Sequence, residues 1–280
     1  MNKRLPKNHY ALIIDVETHM RSENQNVIYD IAGAFGNIRS HEQPIYFNWF
    51  IEEHIAPSFW NWSYMEENVR NPYRFDGRAD AVYHYTRKNP CSIISIDDFF
   101  NKLTPYLEQA ESIGAYNAGF DFRALQTTHM KYNHQPYKVL TNCMNKGFCI
   151  WDMFATLTVN KTYYSWLESE GIPIEEYKTA KGNIKTSAEI AGKYLFADHF
   201  YSEAHQGLKD VKLEWEIAKH HFDKFPREIF YGIALDSDEG YLTKPFIGNI
   251  HVPNYRHNQS KKPTTWKLKN RGLVKIEVKE

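Results

Sequence analysis

The sequence predicts an α/β protein, in which helices cover a β-sheet, and two observations near its start support this class. Three apolar runs rich in branched and aromatic residues follow one another at residues 10–16, 27–35 and 45–51. Runs of this length and composition are typical of buried strands. Turn-forming residues lie between the second run and the third, which predicts an antiparallel meander of three strands.

Helical and strand patterns alternate after the meander. Residues 96–111 predict a helix, because apolar residues recur on one face at helical spacing. Residues 112–116 predict a short strand, which leads through a small-residue turn into a helix that starts near Asp121. Residues 150–159 and 163–170 are also expected to be helical.

The last two helices carry their own signals. Thr186 precedes Glu189 by three positions, a capping box that predicts a helix from there to about residue 196. A final helix is expected over residues 210–221. Its apolar face consists of Val211, Trp215, Ala218 and Phe222.

Composition narrows the class of protein. The chain has 280 residues, 42% of them hydrophobic, and its 34 Lys and Arg balance its 34 Asp and Glu. A net charge of zero argues against a protein that coats nucleic acid by charge alone, although catalytic carboxylates can offset basic substrate contacts in a nuclease. The three cysteines, Cys91, Cys143 and Cys149, are too few and too scattered for a disulfide framework or a structural zinc site. We therefore expect a cytoplasmic protein, and no apolar run approaches the roughly 18 residues of a membrane span.

The first candidate site residues are Asp15 and Glu17, at the end of the first predicted strand. Side chains at positions i and i+2 of a strand point to the same face, about 6.5–7 Å apart. Two adjacent carboxylates are costly unless a cation compensates them, and Mg²⁺ is commonly held by one or two carboxylates. The alternative interpretation is an exposed strand end, since a D-x-E pattern alone is a weak signal.

Further acids lie at helix starts. Asp121 follows a strand and a small-residue turn, where an acid suits the helix dipole but where α/β proteins also bind ligands. His205 lies in a Gly-containing loop, and Asp210 begins the last helix. Histidine is well suited to proton transfer near neutral pH, although a surface His beside a helix-start Asp is the ordinary alternative. Asp152 could be a further site carboxylate or, more simply, a helix cap.

Taken in order, the motifs D-x-E, N-x-x-F-D and H-x4-D resemble the DEDDh superfamily of 3′→5′ exonucleases. The resemblance covers about residues 8–225 and implies a ribonuclease H-like fold, with a mixed β-sheet flanked by α-helices. The segments AYNAGFDFRAL, KGNIKTSAEIAGKYL and EAHQGLKDVKLEWEIA are most similar to phage-encoded members.

The resemblance implies a role for each motif residue. Asp15 would bridge two divalent cations, Mg²⁺ or Mn²⁺, with Glu17 and Asp210 completing the first metal site. Asp121 would help to hold the second cation, and His205 would act as the general base that takes a proton from the attacking water. All five residues match the family pattern, so an active enzyme is expected.

Four more residues are implied to contact the substrate. Thr18 and His19 follow the D-x-E motif, where the family places backbone contacts to the terminal nucleotide. This chain has His19-Met20 where many relatives have Thr-Gly. Asn117 and Phe120 would flank the substrate, and their alternatives are a turn-forming residue and a core ring.

Two regions stand apart from the exonuclease domain expected at residues 8–225. Residues 52–91 form an aromatic-rich insert, whose rings could stack on bases or pack a small core of their own. Residues 226–280 form a C-terminal appendage with a basic end, which could contact phosphates or lie in solvent. We expect these two regions to influence the choice of substrate.

The implied reaction is hydrolysis of phosphodiester bonds from 3′ ends, with release of nucleoside 5′-monophosphates. Single-stranded DNA or a frayed 3′ end is the expected substrate, in phage DNA replication or repair and beside a replication protein. One alternative is a 3′→5′ exoribonuclease or oligoribonuclease, which recognition of the 2′-OH would distinguish. Another is a non-catalytic nucleic-acid-binding protein that serves replication. No contact with a membrane is expected.

Overall fold

A computed structural model gives the fold of the chain. It describes residues 8–18, 27–55, 93–155, 164–178, 185–198, 201 and 207–224, and beyond these the backbone of five short strands. Most of the insert at 52–91, and the side chains of residues 226–280, lie outside the described residues. No helix in the described part is long and apolar enough to cross a membrane.

Six strands form the central sheet, in the order β4-β3-β2-β1-β5-β6. They are β1 (Tyr10–Thr18), β2 (Ile28–Asn37), β3 (Ile45–Ile51), β4 (Ile93–Ile94), β5 (Ser112–Ala115) and β6 (Gly147–Cys149). β1, β2 and β3 form the antiparallel meander that the sequence predicts, whereas β4, β5 and β6 each pair in parallel with a neighbour. The sheet is therefore mixed, and the predicted α/β fold is confirmed.

The helices come mostly after the meander. Those described are α1 (Glu52–Ile55), α2 (Ile96–Gln109), α3 (Ala118–Asn133), α4 (Lys138–Cys143), α5 (Ile150–Met153), α6 (Tyr164–Ser169), α7 (Ala188–Phe196) and α8 (Gly207–Lys224). Short 3-10 helices cover Met144–Lys146 and Ile174–Tyr177. The predicted helices at 96–111 and 210–221 are confirmed to within a few residues, and the apolar face predicted for the latter is buried.

Strand β1 contributes to the core on both of its faces. Its residues Leu12 and Ile14 belong to a buried cluster that includes residues of α2 and α3. Ala11 and Ile13 belong to a second buried cluster that includes residues of α8. Because side chains alternate along a strand, the odd-numbered residues of β1 are directed toward α8.

One helix start differs from the sequence prediction by one residue. Helix α7 is capped by Ser187, whose hydroxyl accepts a hydrogen bond from the Ile190 N–H at 3.4 Å. The Thr186 hydroxyl instead accepts a hydrogen bond from the Trp151 indole N–H at 2.6 Å. The predicted capping box with Thr186 is therefore wrong, because the helix begins at Ala188 and Ser187 occupies its cap position.

The C-terminal segment has β-structure outside the central sheet. Its strands are β7 (Ile233–Leu235), β8 (Leu242–Pro245), β9 (His251–Val252), β10 (Thr264–Lys269) and β11 (Gly272–Glu277). β7 pairs with β8, and β10 pairs with both β9 and β11, all antiparallel. The central sheet therefore contains no described strand from beyond residue 225.

Candidate metal and active site

Three carboxylates converge at the end of β1. Asp15 and Glu17 lie two positions apart on β1, and Asp210 lies in the first turn of α8. Each offers one carboxylate oxygen, and these three oxygens all lie within 4.8 Å of one another. The arrangement follows from the fold, because Asp15 and Glu17 continue the β1 face that is directed toward α8.

A fourth carboxylate, Asp121, reaches the same place from α3. It is buried in the first turn of that helix, and its Oδ1 accepts a hydrogen bond from the Val16 N–H at 3.2 Å. Asp121 lies outside the group of three mutually close oxygens. The structure thus brings together all four predicted acids, three with mutually close oxygens and Asp121 beside them. We call Asp15, Glu17, Asp121 and Asp210 the acidic cluster.

Burial and mutual repulsion both act on these carboxyl groups. Burial, followed by the charges of Asp121, Glu17 and Asp210, raises the pKa of Asp15 well above its usual range. Burial raises the pKa of Asp121 to about 8, and the charge of Glu17 adds to this. The hydrogen bond from the Val16 N–H opposes the shift at Asp121. The site therefore favours whatever brings positive charge to it.

The donor set fits a hard divalent cation. Asp15 Oδ2 is buried and accepts no hydrogen bond from any described residue. A buried carboxylate oxygen without a partner is costly, and a cation would satisfy it. Three carboxylate oxygens without a nearby sulfur or imidazole ligand in the described group favour Mg²⁺ or Mn²⁺ over softer metals.

Two acids that the sequence analysis missed also lie at this site. The first is Asp30, which faces Glu17 across the β1–β2 ladder. Its Oδ1 accepts a hydrogen bond from Asn48 Nδ2 at 2.5 Å, and the Gly207 N–H at the start of α8 also donates to its carboxylate. Burial raises the pKa of Asp30 to about 8, with smaller contributions from the charges of Glu17 and Asp210. The available signal was a lone acid inside the apolar run at 27–35.

The second missed acid is Glu214, one helical turn after Asp210 on α8. It is buried, and its Oε2 accepts a hydrogen bond from the Tyr116 N–H at 3.2 Å. Burial, then the charges of Asp15 and Asp121, raises the pKa of Glu214 well above its usual range. Its signal was an acid in the buried face of an amphipathic helix, flanked by apolar residues.

The residues predicted to contact substrate differ in exposure. Thr18 is buried at the end of β1, with 5% of its surface exposed. Asn117 precedes α3 and makes no side-chain cap, and it is exposed. Phe120 is 37% exposed, so the alternative of a core ring is wrong. His19 and His205 lie outside the described residues.

Asp152 is neither a helix cap nor a member of the three-oxygen group. It lies buried in the first turn of α5, and Cys149 occupies the cap position before that helix. The interpretation of Asp152 as a helix cap is therefore wrong, because the cap position lies three residues earlier, at Cys149. Two acids that do act electrostatically on the acidic cluster are Asp30 and Glu214.

Cation binding at the acidic cluster is expected to release protons. The pKa of Asp121 is about 8, so below that pH its carboxyl is largely protonated in the metal-free protein, and the raised pKa of Asp15 acts in the same direction. Because a ligand must be deprotonated, Mg²⁺ affinity should fall by about tenfold per pH unit for each proton displaced below about pH 8. Titration calorimetry in two buffers of different protonation enthalpy measures this release.

The same shifts fix the sign of the stability change. A carboxyl whose pKa rises on folding binds protons in the folded state that the unfolded state has lost, so its contribution to the stability of the metal-free protein decreases as pH rises from about 4 to about 8.

Equal Mg²⁺ affinity at about pH 6 and about pH 9, with no proton release at either, would contradict the raised pKa values.

Comparison with known proteins supports the fold. No protein-family model matches the sequence, and no curated protein matches it. Among solved structures, cell-death related nuclease 4 (CRN-4) matches with a TM-score of 0.50 at 11% identity, over 83% of this chain and 70% of that one. The nuclease domain of 3′hExo, a DEDDh family member bound to rAMP, matches with a TM-score of 0.45 at 13% identity, over 81% and 98%.

A further match is E. coli exonuclease I in complex with a dT13 oligonucleotide, with a TM-score of 0.45 at 16% identity, over 78% of this chain and 42% of that one. At 11% identity, the likeness to CRN-4 shows that the chain shares an α/β fold with that nuclease.

Proposed function

We propose that this chain is a 3′→5′ exonuclease of the DEDDh type that depends on divalent cations and acts on single-stranded nucleic acid. The observation that carries the proposal is the convergence of Asp15, Glu17 and Asp210 within 4.8 Å, with a buried Asp15 oxygen that accepts no hydrogen bond from the described residues. Asp121 adds a fourth carboxylate from a different element. Such a set is suited to a pair of cations that share Asp15.

The roles follow the chemistry of each group. Asp15, Glu17 and Asp210 would hold one Mg²⁺ or Mn²⁺, and Asp15 and Asp121 would hold a second. Two such cations, when bound, neutralise charge on the attacking and leaving oxygens of a phosphodiester displacement. His205, five residues before Asp210, would accept the proton of the attacking water. The products would be nucleoside 5′-monophosphates.

The proposed substrate contacts lie around the α3 start. Phe120 directly precedes Asp121 and exposes part of its ring, which suits stacking on a terminal base or sugar. Asn117 is exposed one turn earlier. The backbone after Glu17, at Thr18 and His19, would hold the terminal nucleotide.

We favour DNA over RNA as the substrate, with a frayed 3′ end as a second form, in replication or repair. Membership of a phage-encoded subgroup, a cytoplasmic location and a replication-protein partner are parts of the same proposal. So is the division into an exonuclease domain at 8–225, with its insert at 52–91, and an appendage at 226–280. An exoribonuclease is the second candidate within the same chemistry.

A non-catalytic binding protein is disfavoured by the electrostatics. Ionised carboxylates in this cluster repel phosphate unless cations or protons neutralise them, so four of them give no advantage to a protein that only binds nucleic acid. The decisive experiment incubates 5′-labelled single-stranded DNA and RNA of equal sequence with the protein and Mg²⁺ or Mn²⁺. Stepwise shortening from the 3′ end, abolished by chelation, is expected. Internal cuts only, or no cleavage of either polymer with both metals, would overturn the proposal.

Replacing His205 by Ala tests its role as a general base. Turnover is expected to drop by about 10²–10⁴-fold, because that is the usual contribution of a positioned acid or base. Mg²⁺ affinity, measured by calorimetry, should stay close to that of the unmodified protein. A large loss of Mg²⁺ binding would instead make His205 a metal ligand.

A further inference from the structure

We propose that Glu214 is a positioning residue, which fixes the distance between the helix that carries Asp210 and the turn that carries Asp121. It does so through the hydrogen bond that it accepts from the Tyr116 N–H. The inference rests on the proposed function, since it concerns the geometry of the same acidic cluster.

The position of this hydrogen bond follows from the way β1 and β5 end. The two strands pair in parallel only as far as Ile13 with Gly114. Beyond that pair, a carboxylate accepts from each strand's backbone: Asp121 from the Val16 N–H at 3.2 Å, and Glu214 from the Tyr116 N–H at 3.2 Å. Backbone N–H groups buried in a sheet need partners, so these two side chains replace the missing strand pairing.

Tyr116 is fixed on its other sides as well. Its carbonyl oxygen accepts a hydrogen bond from the Trp151 N–H at 2.9 Å. Its phenol donates to the Thr186 carbonyl oxygen at 2.5 Å. Glu214 therefore supplies a hydrogen bond between this well-anchored residue and α8.

The turn after Tyr116 carries the constraint to Asp121. The Asn117 carbonyl oxygen accepts from the Phe120 N–H at 2.6 Å and from the Asp121 N–H at 3.4 Å. A shift of the Tyr116 backbone would consequently move the first turn of α3. Glu214 and Asp210 lie one turn apart on the rigid helix α8, so the Glu214 bond links Asp210 to Asp121 through few flexible torsions.

Glu214, like Asp121, lies outside the three mutually close oxygens of Asp15, Glu17 and Asp210. What marks it as a positioning residue is its hydrogen bond to the Tyr116 backbone, and Glu214→Gln separates that bond from metal ligation because it keeps the acceptor oxygen and removes the charge. Groups that orient metal ligands typically change affinity or activity by about 10–100-fold when they are removed. We expect an effect of that size from loss of the Glu214 bond, and a small effect from loss of its charge alone.

Three substitutions separate the hydrogen bond from the charge. Glu214→Gln keeps an acceptor oxygen within reach of the Tyr116 N–H and removes the charge. Glu214→Asp keeps the charge but shortens the side chain by one methylene, and Glu214→Ala removes both. Glu216→Gln is the matched control, because Glu216 lies on the same helix outside the acidic cluster.

Each full-length variant is compared in kcat, KM, Mg²⁺ affinity by calorimetry and the amide NMR signal of Tyr116. We expect Glu214→Asp and Glu214→Ala to lose about 10–100-fold in kcat with KM little changed, to bind Mg²⁺ more weakly and to shift the Tyr116 signal. Glu214→Gln should recover most of the loss, and Glu216→Gln should behave as the unmodified protein.

The outcomes distinguish this inference from the proposed function. If the unmodified protein cleaves no nucleic acid, the proposed function fails, while Mg²⁺ affinity and the Tyr116 signal still report on Glu214. Unchanged kcat and Mg²⁺ affinity in both Glu214→Asp and Glu214→Ala would overturn the inference. Equal losses in Glu214→Gln and Glu214→Ala would also overturn it, because the charge would then be the cause. If the Glu214→Ala protein does not fold, the comparison of Glu214→Asp with Glu214→Gln decides between the hydrogen bond and the charge.

Discussion

Asp15→Asn is expected to reduce exonuclease turnover by at least roughly a thousandfold, since loss of cation binding removes about 4 kcal/mol of charge stabilisation from the reaction. Asp15 is shared by both proposed cation sites, and its Oδ2 is buried without a hydrogen bond from the described residues. An amide of the same shape cannot replace a carboxylate there, because its nitrogen end does not bind cations. Turnover on a labelled single strand measures the loss.

The same substitution should make the metal-free protein more stable. Burial and the charges of Asp121, Glu17 and Asp210 all disfavour the ionised form of Asp15, so a neutral side chain relieves repulsion. Each kcal/mol gained raises the midpoint of thermal unfolding by about 2–4 °C in a protein of this size. Added Mg²⁺ should stabilise the unmodified protein and leave the variant nearly unaffected.

Asp97→Asn is the control for this comparison. Asp97 is an exposed acid in the first turn of α2, outside the acidic cluster. Its substitution should leave turnover unchanged. It should lower the free energy of unfolding slightly, by about 0.3–1 kcal/mol, because the negative charge of Asp97 interacts favourably with the N-terminal end of the helix dipole. An Asp15→Asn protein that keeps its turnover, or that is less stable without metal than the unmodified protein, would contradict the account of the site.

Gly114→Ala is expected to destabilise the fold by about 2–3 kcal/mol or more, because it overpacks the core. A Cβ at Gly114 would lie 2.4 Å from Cζ and 2.5 Å from Cε2 of Phe148. Phe148 is 1% exposed and its ring packs against Phe222, with centroids 5.3 Å apart. The ring therefore has little room to move away. Chemical denaturation monitored by circular dichroism gives the change in the free energy of unfolding.

Gly119→Ala is the matched control. Gly119 lies in the first turn of α3, and a Cβ there meets nothing within 4 Å. Ala is the better helix former, so this variant should be neutral or more stable by up to about 0.8 kcal/mol. Equal effects of the two substitutions would show that the Phe148 ring yields easily, and the account of packing at Gly114 would be wrong.

The sequence was sufficient for the features that local patterns determine. β3 was predicted at 45–51 and lies at Ile45–Ile51, because a run of apolar and aromatic residues specifies a strand without knowledge of its partners. Asp15 and Glu17 were predicted to share a face, since the period of a strand is two. Asp121 and Asp210 lie at helix starts, as their sequence contexts predicted.

The features that the sequence could not determine depend on partners distant along the chain. Glu214 accepts a hydrogen bond from the Tyr116 N–H, 98 positions away along the chain. Asp30 accepts one from the Gly207 N–H at the start of α8. Thr186 carried a valid capping signal, but its hydroxyl is used by Trp151. In each case the local pattern left alternatives open, and the tertiary contact chose among them.

The order of strands in the central sheet has a consequence for how such a protein can diversify. Strand β1, which carries Asp15 and Glu17, is interior, whereas β4 is an edge strand of two residues. Neighbouring strands lie about 4.8 Å apart, so β4 lies roughly 14 Å from β1. The chain between α1 and β4 consequently leaves the sheet from β3, two strands away from β1, and rejoins it at β4, three strands away. Exchange of that segment for another is therefore expected to leave the β1 spacing of Asp15 and Glu17 intact.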